Sequence, residues 1–323
     1  MRVLITGAAG MIGRKLTARL ARPDALGDKT ITALDLHDIV APAPLQIPGV
    51  EVRILTGDLA DTGAAANLIA QKPDIIFHLA GVVSGEAESN FDLGYRVNLD
   101  GTRQLFDAIR VVNYAPRVVF TSSIAVFGAP FPDVIPDDFH PTPLTSYGSQ
   151  KLMSETLLAD YSRRGFFDGI GIRLPTICVR PGKPNKAASG FFSGIIREPL
   201  AGLEAILPVP RSIVHTHASP RSAVGFLVHA AVMDTARIGP PRNLTMPGVA
   251  VSVGEQIDAL ARIAGADVMK LINKQPDETV WRIVQGWPTR FDARRARDLG
   301  FVAESTFDDI IRVHIEDEMG APA

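Results

Sequence analysis

The stretch Thr6-Gly7-Ala8-Ala9-Gly10-Met11-Ile12-Gly13 lies between an apolar run, Arg2 to Ile5, and a helical pattern from Gly10 to Ala21. In that pattern Ile12, Leu16 and Leu20 recur at four-residue spacing, so they share one face. The segment reads as strand, glycine turn, helix. Gly7 suits a tight turn, Gly10 lets a backbone approach a ligand, and Gly13 lets the helix pack closely on the strand. Exposed N–H groups and the helix dipole favour a diphosphate at such a helix start. The spacing is Gly-x-x-Gly-x-x-Gly, so its place between a strand and a helix carries the reading more than the triplet does.

Working outward, apolar and amphipathic stretches alternate. Further strands are read at Thr30 to Leu36, Val50 to Leu55, Asp74 to Leu79, Arg117 to Ser122 and Gly169 to Leu174. Helices are read at Asn98 to Val111 and Tyr147 to Ser162. The alternation predicts an α/β fold, a Rossmann-type doubly wound parallel sheet with right-handed crossovers. After Pro175 the prolines at 181, 184, 199, 208 and 210 break the pattern. Helices are expected at Phe191 to Arg197, Pro220 to Val232, Val253 to Ala264 (capped by Ser252), Phe291 to Gly300 and Thr306 to Glu318. Asn243 to Met246 reads as a returning strand. The expected division is a dinucleotide domain over 1–174 and a smaller, mainly substrate-binding region over 175–323. Part of the latter, about 211–250, is expected to return to the first sheet.

Composition narrows the class. The chain has 323 residues, 46% of them hydrophobic, and a net charge of -2. That balance argues against a nucleic-acid or membrane-surface role driven by bulk charge. No apolar run reaches the roughly 20 residues of a membrane span, and the Arg2 stretch is too broken by glycine to be a signal peptide. The single cysteine, Cys178, forbids an intrachain disulfide and fits a cytoplasmic protein. Its apolar surroundings, Thr176-Ile177-Cys178-Val179, read as a buried inert thiol.

Asp35 is read as closing the second strand, 22 residues past Gly13. A carboxylate there accepts both ribose hydroxyls of an adenosine and repels a 2′-phosphate, which favours NAD over NADP. The other reading is a solvated strand-end aspartate. Asp58 follows the third strand, where it either bonds the adenine amine or caps the turn from Ala60 onward. Tyr147 and Lys151 are four apart on a predicted helix and share a face. A phenol titrates near about 10 and is a poor base at neutral pH. A neighbouring ammonium favours the phenolate, which can then take an alcohol proton as hydride leaves the adjacent carbon. Ser122 and Ser123 end the fifth strand, where open α/β sheets bind ligands. A hydroxyl there can steady a reacting oxygen.

These motifs together resemble one family. Thr6-Gly7-x-x-Gly10-x-x-Gly13, His78-Leu79-Ala80-Gly81, Asn98-Leu99-Asp100-Gly101-Thr102, Ser122-Ser123-Ile124-Ala125-Val126-Phe127-Gly128 and Tyr147-x-x-x-Lys151 look like the extended short-chain dehydrogenase/reductase family, which includes the nucleotide-sugar epimerases and dehydratases. The resemblance covers nearly the whole chain. It implies Ser123, Tyr147 and Lys151 in the catalytic positions. It implies an NAD site formed by Gly7, Gly10, Met11, Ile12, Gly13, Asp35, Asp58, Leu59, Leu79, Ala80, Gly81 and Ser122, with Tyr147, Lys151, Pro175 and Thr176 on the nicotinamide side. Substrate is expected at Ser84, Ser123, Tyr147 and Arg180. Asn98 is expected to order a helix and a water. A homodimer packed through the Asn98 and Tyr147 helices is also implied.

Departures from the family narrow the substrate. The sugar dehydratases carry an acid-base pair just after the serine, and Ile124-Ala125 here cannot move protons. The stretch Arg173 to Leu200 resembles the D-erythronate dehydrogenases, NAD-dependent members that oxidise C2 of a four-carbon sugar acid to a 2-oxo acid. Arg180, Lys183, Lys186 and Arg197, with no acidic residue between Arg180 and Arg197, suit a carboxylate. They suit a nucleotide-sugar diphosphate as well, or are a solvated basic loop. A nucleotide-sugar 4-epimerase and a non-catalytic NAD sensor are the rival functions. His215 and His217 alternate as on a strand, but no acidic or cysteine ligand lies near them. They read as structural, and no metal site is expected. Arg211 is placed to reach an anionic substrate, and Trp281, Trp287 and Phe291 read as core or interface aromatics.

Overall fold

The computed structural model describes residues 1–182 and 188–320. Its strands are β1 (Arg2–Thr6), β2 (Ala33–Asp38), β3 (Glu51–Thr56), β4 (Ile75–His78), β5 (Arg117–Ser123), β6 (Asp168–Leu174), β7 (Thr176–Ile177), β8 (Ala205–Leu207), β9 (Val214–Ala218), β10 (Asn243–Thr245), β11 (Val249–Ser252) and β12 (Ile272–Lys274). The helices that matter here are α1 (Met11–Leu20), α2 (Ala64–Ile69), α3 (Ser84–Ser89), α4 (Phe91–Gly94), α5 (Thr102–Val112), α6 (Ser146–Arg163), α7 (Gly190–Leu200), α8 (Pro220–Val232) and α9 (Val253–Ala264). A π-helical segment, Tyr95–Gly101, precedes α5. The chain divides into two compact units. One comprises Met1–Val126, Pro143–Arg173 and Val224–Leu244, and the other Phe127–Thr142, Leu174–Ala223 and Thr245–Ala323.

The first unit is built on a seven-stranded sheet in the order β10-β6-β5-β4-β1-β2-β3. β1 pairs in parallel with both β2 and β4, and β4 in parallel with β5. The chain therefore winds one way from β1 to β3 and the other way from β4 to β6. The reversal opens a crevice at the carboxyl ends of β1 and β4, where such sheets bind ligands. Strand β4 is buried along its whole length, Ile75 to His78, as a parallel strand covered on both faces must be. On one face Leu4, Ile76, Val118 and Phe120 pack with Leu105, Phe106 and Ile109 of α5, Leu68 of α2 and Leu158 of α6. Each such buried side chain contributes about 2 kcal/mol.

The second unit holds a three-stranded sheet, β11-β9-β7, and a two-stranded one, β12-β8. Its core gathers Phe192, Ile195 and Ile196 of α7, Val253, Ile257 and Leu260 of α9, and Phe307, Ile310 and Ile311. Ser252 closes α9 with a capping box to Glu255. Within this unit Phe127 packs on Phe139 and Phe291, with ring centroids 6.0 and 5.7 Å away.

Some expectations change. The returning segment is narrower than 211–250, because β9 pairs with β11 on one side and β7 on the other rather than with the large sheet. Only Val224–Leu244 lies in the first unit. The helix expected over Phe291 to Gly300 shortens to Arg294–Asp298, since the Phe291 backbone is bridged to Ile135 instead. The helix expected from Asn98 begins earlier, as the π-helical turn.

Candidate active site

The glycine turn has the tight geometry that its residues permit. Gly7 takes φ +79°, and a Cβ on it would lie 2.7 Å from the amide nitrogen of Ala80. A Cβ on Gly13 would lie 2.1 Å from the Gly7 carbonyl oxygen. Neither backbone contact can yield, so only glycine fits. Gly10 is the N-cap residue of α1 and offers no side-chain acceptor. The first amides of the helix, from Met11 to Gly13, have no intrahelical acceptor and are available to an anion. Gly81 continues the cradle: a Cβ there would lie 2.8 Å from Asn98 Oδ1 and 3.7 Å from Lys151 Nζ. Leu79 and Ala80 lead into it, with the Leu79 N–H donating to the Thr6 carbonyl at 3.0 Å. These residues fit an extended dinucleotide.

The acid at the end of β2 is not the one expected. Asp35 lies inside the strand, level with Leu4, and is 1% exposed. Arg2 Nη1 donates to its Oδ1 and Oδ2 at 2.9 and 3.1 Å, and Arg53 lies 3.7 Å away. The strand continues to Asp38, one residue past the pairing of Thr6 with His37 and so level with Gly7. Side chains alternate along a strand, which puts Asp35 and Asp38 on opposite faces. Asp38 Oδ2 accepts the Ala9 N–H at 2.9 Å. A count from Gly13 could not supply this register; only the pairing of β1 with β2 does. Asp58 Oδ1 accepts the Ala60 N–H at 2.9 Å, and Oδ2 accepts Arg96 Nη1 at 2.5 Å. Leu59 is buried beside it.

Two serines end β5 and face opposite ways. The Ser123 hydroxyl accepts the Ala125 N–H at 3.2 Å. Ser122 is buried and donates to Glu155 Oε1 at 2.5 Å, so its side chain turns into the sheet–helix interface. Helix α6 starts at Ser146, with Thr145 Oγ1 accepting the Gly148 N–H at 3.1 Å. Gly148 is required: a Cβ there would lie 2.2 Å from the Ala125 carbonyl oxygen. That close approach brings the first turn of α6, with half-buried Tyr147, against the end of β5. Lys151 is buried. Its Nζ donates to the Thr121 carbonyl at 2.9 Å and lies 4.9 Å from the Phe120 ring centroid and 5.7 Å from that of Tyr147. Burial pushes its pKa down to about 8, against the opposing pull of Glu155. An ammonium over the ring of the phenol is the arrangement that favours a phenolate.

Supporting residues surround this pair. Asn98 lies in the π-helical turn, a common place for functional side chains. Its Oδ1 accepts the Val82 N–H at 2.9 Å and its Nδ2 donates to Gln150 Oε1 at 2.8 Å. His78 is clamped between Thr6 Oγ1 at 2.7 Å and Thr102 Oγ1 at 2.9 Å. Burial, then the Lys151 charge, push its pKa down to about 3. Ser84 is the first residue of α3, half-buried.

In the second unit, Pro175 leads into β7, where Thr176 Oγ1 lies 2.7 Å from His215 Nε2. His215 stacks on Phe192 with centroids 5.3 Å apart and planes 7° apart. Its pKa falls to about 4 through burial. His217 Nε2 lies 2.9 Å from Gln256 Nε2. Among the described residues no group of three or more His, Cys, Asp or Glu could hold a metal. Arg180 gives its N–H to Ser193 Oγ at 3.0 Å and its Nε to the Ile177 carbonyl at 3.1 Å. Arg197 Nη1 donates to the Arg180 carbonyl at 2.6 Å. Lys183 and Lys186 lie outside the described residues. Arg211 pairs with Asp258 at 2.7 Å. Cys178 is buried, and burial pushes its thiol up to about 12.

Comparison with known proteins extends this. The family model "NAD dependent epimerase/dehydratase" matches residues 3–215. The chain is 46% identical over 321 residues to D-erythronate dehydrogenase from Cupriavidus necator, covering 98% of each chain. It is 40% identical over 320 residues to D-erythronate dehydrogenase from Haemophilus influenzae, covering 99% of this chain and 100% of that one. A solved structure described as the nucleoside-diphosphate-sugar epimerase from Agrobacterium tumefaciens superposes with a TM-score of 0.98 at 60% identity, covering 100% of this chain and 95% of that one. The family match takes in both the glycine turn and the helix of Tyr147 and Lys151, and on that ground, with full-length relatives beside it, the chain belongs to the NAD-dependent epimerase/dehydratase family.

Proposed function

We propose that this protein oxidises the C2 hydroxyl of D-erythronate to 2-oxo-tetronate with NAD. The observation that carries the chemistry is the Lys151 ammonium, anchored on the Thr121 carbonyl and lying over the Tyr147 ring. The substrate rests on the full-length relatives of that name. NAD, when bound, supplies the hydride acceptor at its nicotinamide C4. Met11, Ile12 and the three turn glycines would hold its diphosphate, Asp38 rather than Asp35 its adenosine ribose, and Asp58, Leu59 and Leu79 to Gly81 the path of its adenosine half. Pro175 and Thr176 would border the nicotinamide, with the Ser122 backbone beside it.

Ser123 Oγ donates to the C2 oxygen and keeps it oriented. Tyr147 takes the C2 hydroxyl proton on its phenolate oxygen. Lys151 keeps that phenol acidic and would bond the nicotinamide ribose when NAD is bound. Ser84 lends a hydroxyl to the substrate, and Arg180 takes its carboxylate. Ile124 is buried in the short turn after β5, and with Ala125 it offers no acid-base pair for water loss. We further assign the protein to the cytoplasm, as a homodimer packed through the Asn98 helix, the π-helical turn running on into α5, and the Tyr147 helix, α6. Among the described residues no helix is long and apolar enough to cross a membrane.

The test is NADH formation with a panel of four- to six-carbon aldonates and uronates. D-erythronate is expected to give the strongest signal, and Tyr147→Phe to lower kcat by about 10²- to 10⁴-fold, the range for a general base. No NADH from D-erythronate or related 2-hydroxy acids would overturn the assignment. The Agrobacterium structure favours a second reading, a nucleotide-sugar 4-epimerase. That reading predicts co-purifying NAD, binding of uridine diphosphate and epimerisation with no net NADH.

A further inference from the structure

One turn beyond Lys151 on α6 stands Glu155, with its side chain 2% exposed. Its Oε1 accepts from Ser122 Oγ at 2.5 Å and from Arg173 Nε at 2.9 Å, and its Oε2 accepts from Arg173 Nη2 at 2.7 Å. Arg173, on β6, is itself only 10% exposed. Helix α6 is therefore fastened to β5 at two successive levels. Lys151 bonds the Thr121 carbonyl, and Glu155 bonds the hydroxyl of the next residue, Ser122. Ser123, the following residue, is the serine assigned to the substrate.

A buried ion pair is costly to place, and a hydrophobic pair of the same volume is often as stable. Stability alone therefore does not account for this one. Its position does suggest a purpose. Among the described residues, the groups around Tyr147 and Lys151 are Glu155 on α6, His78 on β4, Arg173 behind Glu155 on β6, and Glu88 on α3, whose Oε2 accepts the Ser146 N–H at 3.0 Å beside Tyr147; β5 presents Phe120 and the Thr121 carbonyl, and the π-helical turn presents neutral Asn98. His78 is held neutral. Among the described residues Glu155 is the anion that opposes the burial of Lys151, and Arg173 in turn offsets Glu155.

We propose that Glu155 and Arg173 are a positioning pair whose opposed charges set the pH range over which Tyr147 is a phenolate beside a charged Lys151. Removing the carboxylate leaves a net positive charge, which favours deprotonation of every nearby group. Removing the guanidinium leaves a net negative charge, which does the reverse. A pair that acted through packing alone, its charges not felt at Tyr147, would leave that midpoint where it is.

This rests on Tyr147 acting as the base, so the readout avoids turnover altogether. Tyrosinate absorbs near 295 nm, and subtracting the titration of the matching Tyr147→Phe protein isolates Tyr147 from the other three tyrosines. In the full chain without substrate, Glu155→Gln is expected to lower the Tyr147 midpoint and Arg173→Met to raise it, each by about one pH unit for a charge at this range. The double variant is expected to return near the parent value. Folding is checked by circular dichroism. Should either single variant not fold, Glu155→Asp and Arg173→Lys, which keep each charge, are expected to leave the midpoint unmoved. Unmoved midpoints in folded Glu155→Gln and Arg173→Met, displacements of the same sign in both, or a displaced midpoint in a charge-conserving variant would overturn the proposal. A protein that shows the opposed displacements but oxidises no sugar acid would sink the substrate assignment and leave the pair standing.

Discussion

Asp35 and Asp38 are three residues apart on β2, which is about 10 Å along a strand and a change of face. Asp35 has both oxygens on Arg2 near the start of the sheet, whereas Asp38 stands level with the glycine turn and takes the Ala9 amide. Their substitutions should separate cleanly. Asp38→Ala is expected to weaken NAD binding about 10- to 100-fold, the value of charge-assisted bonds to a ribose diol, and to reduce the preference for NAD over NADP. The thermal midpoint should barely move. Asp35→Asn leaves the half-buried Arg2 guanidinium with only the exposed Glu51 carboxylate, 2.7 Å away, as its anion, and is expected to cost about 1–3 kcal/mol of stability, with NAD affinity nearly unchanged in the folded protein. Titration of cofactor binding alongside thermal unfolding checks both. If Asp35→Asn weakened NAD more than Asp38→Ala did, the ribose assignment would revert to Asp35.

Helix α6 shows what a functional element looks like at the next scale. Its buried stripe is Gly148, Gln150, Lys151, Ser154, Glu155 and Leu158, mostly polar where α5 buries Leu105, Phe106 and Ile109. An interior stripe of that kind survives only if its groups find partners. Lys151, Ser154 and Glu155 find theirs on β5, on the Asn98 and Gln150 carbonyls and on β6, whereas Gln150 is half satisfied, its Oε1 accepting from Asn98 and its buried Nε2 left without a partner among the described residues. Gly148 makes these contacts reachable, so Gly148→Ala is expected to lose about 1–3 kcal/mol through overpacking. It should also lose kcat out of proportion, because a displacement of about 1 Å at Tyr147 can cost 100-fold. Comparing kcat with the thermal midpoint, and with Ser149→Ala as a control one residue away, tests this. The spacing of Tyr147 and Lys151 was legible in the sequence because helix periodicity is local. So was the β-α alternation that places Gly7, Ser123 and Tyr147 in one unit. The same ladder continued to Glu155, but its partner Arg173 comes from another strand and no local pattern points to it. The small β11-β9-β7 sheet was illegible for a related reason. β7 is two residues long, and the pairing that defines it joins segments about forty residues apart.

Across the whole molecule, buried histidines couple stability to pH in both units. His78 in the first unit and His215 and His217 in the second are nearly inaccessible. Burial is the chief cause that holds each neutral, at about 3 for His78, about 4 for His215 and well below the usual range for His217. In the unfolded chain all three return to about 6.5. Between the folded and unfolded values the unfolded chain binds more protons, so stability rises with pH there and falls as pH drops below about 6.5. Each histidine contributes a slope of about 1.4 kcal/mol per pH unit in that window. Both units are thus expected to weaken together, with thermal midpoints roughly constant from pH 7 to 8 and falling steeply from pH 6 to 4. Carboxylates protonate only at the lower end of this range, so a fall that begins near pH 6 belongs to the histidines. His78→Asn keeps a polar group between Thr6 and Thr102 but cannot titrate. It is expected to flatten the slope between pH 6 and 4 by about one histidine's share while lowering stability at pH 7. An unchanged slope in that variant would mean that His78 is already protonated when folded. Its two threonine hydroxyls would then both be acting as acceptors from an imidazolium, and the neutral ring next to Lys151 would have to be abandoned.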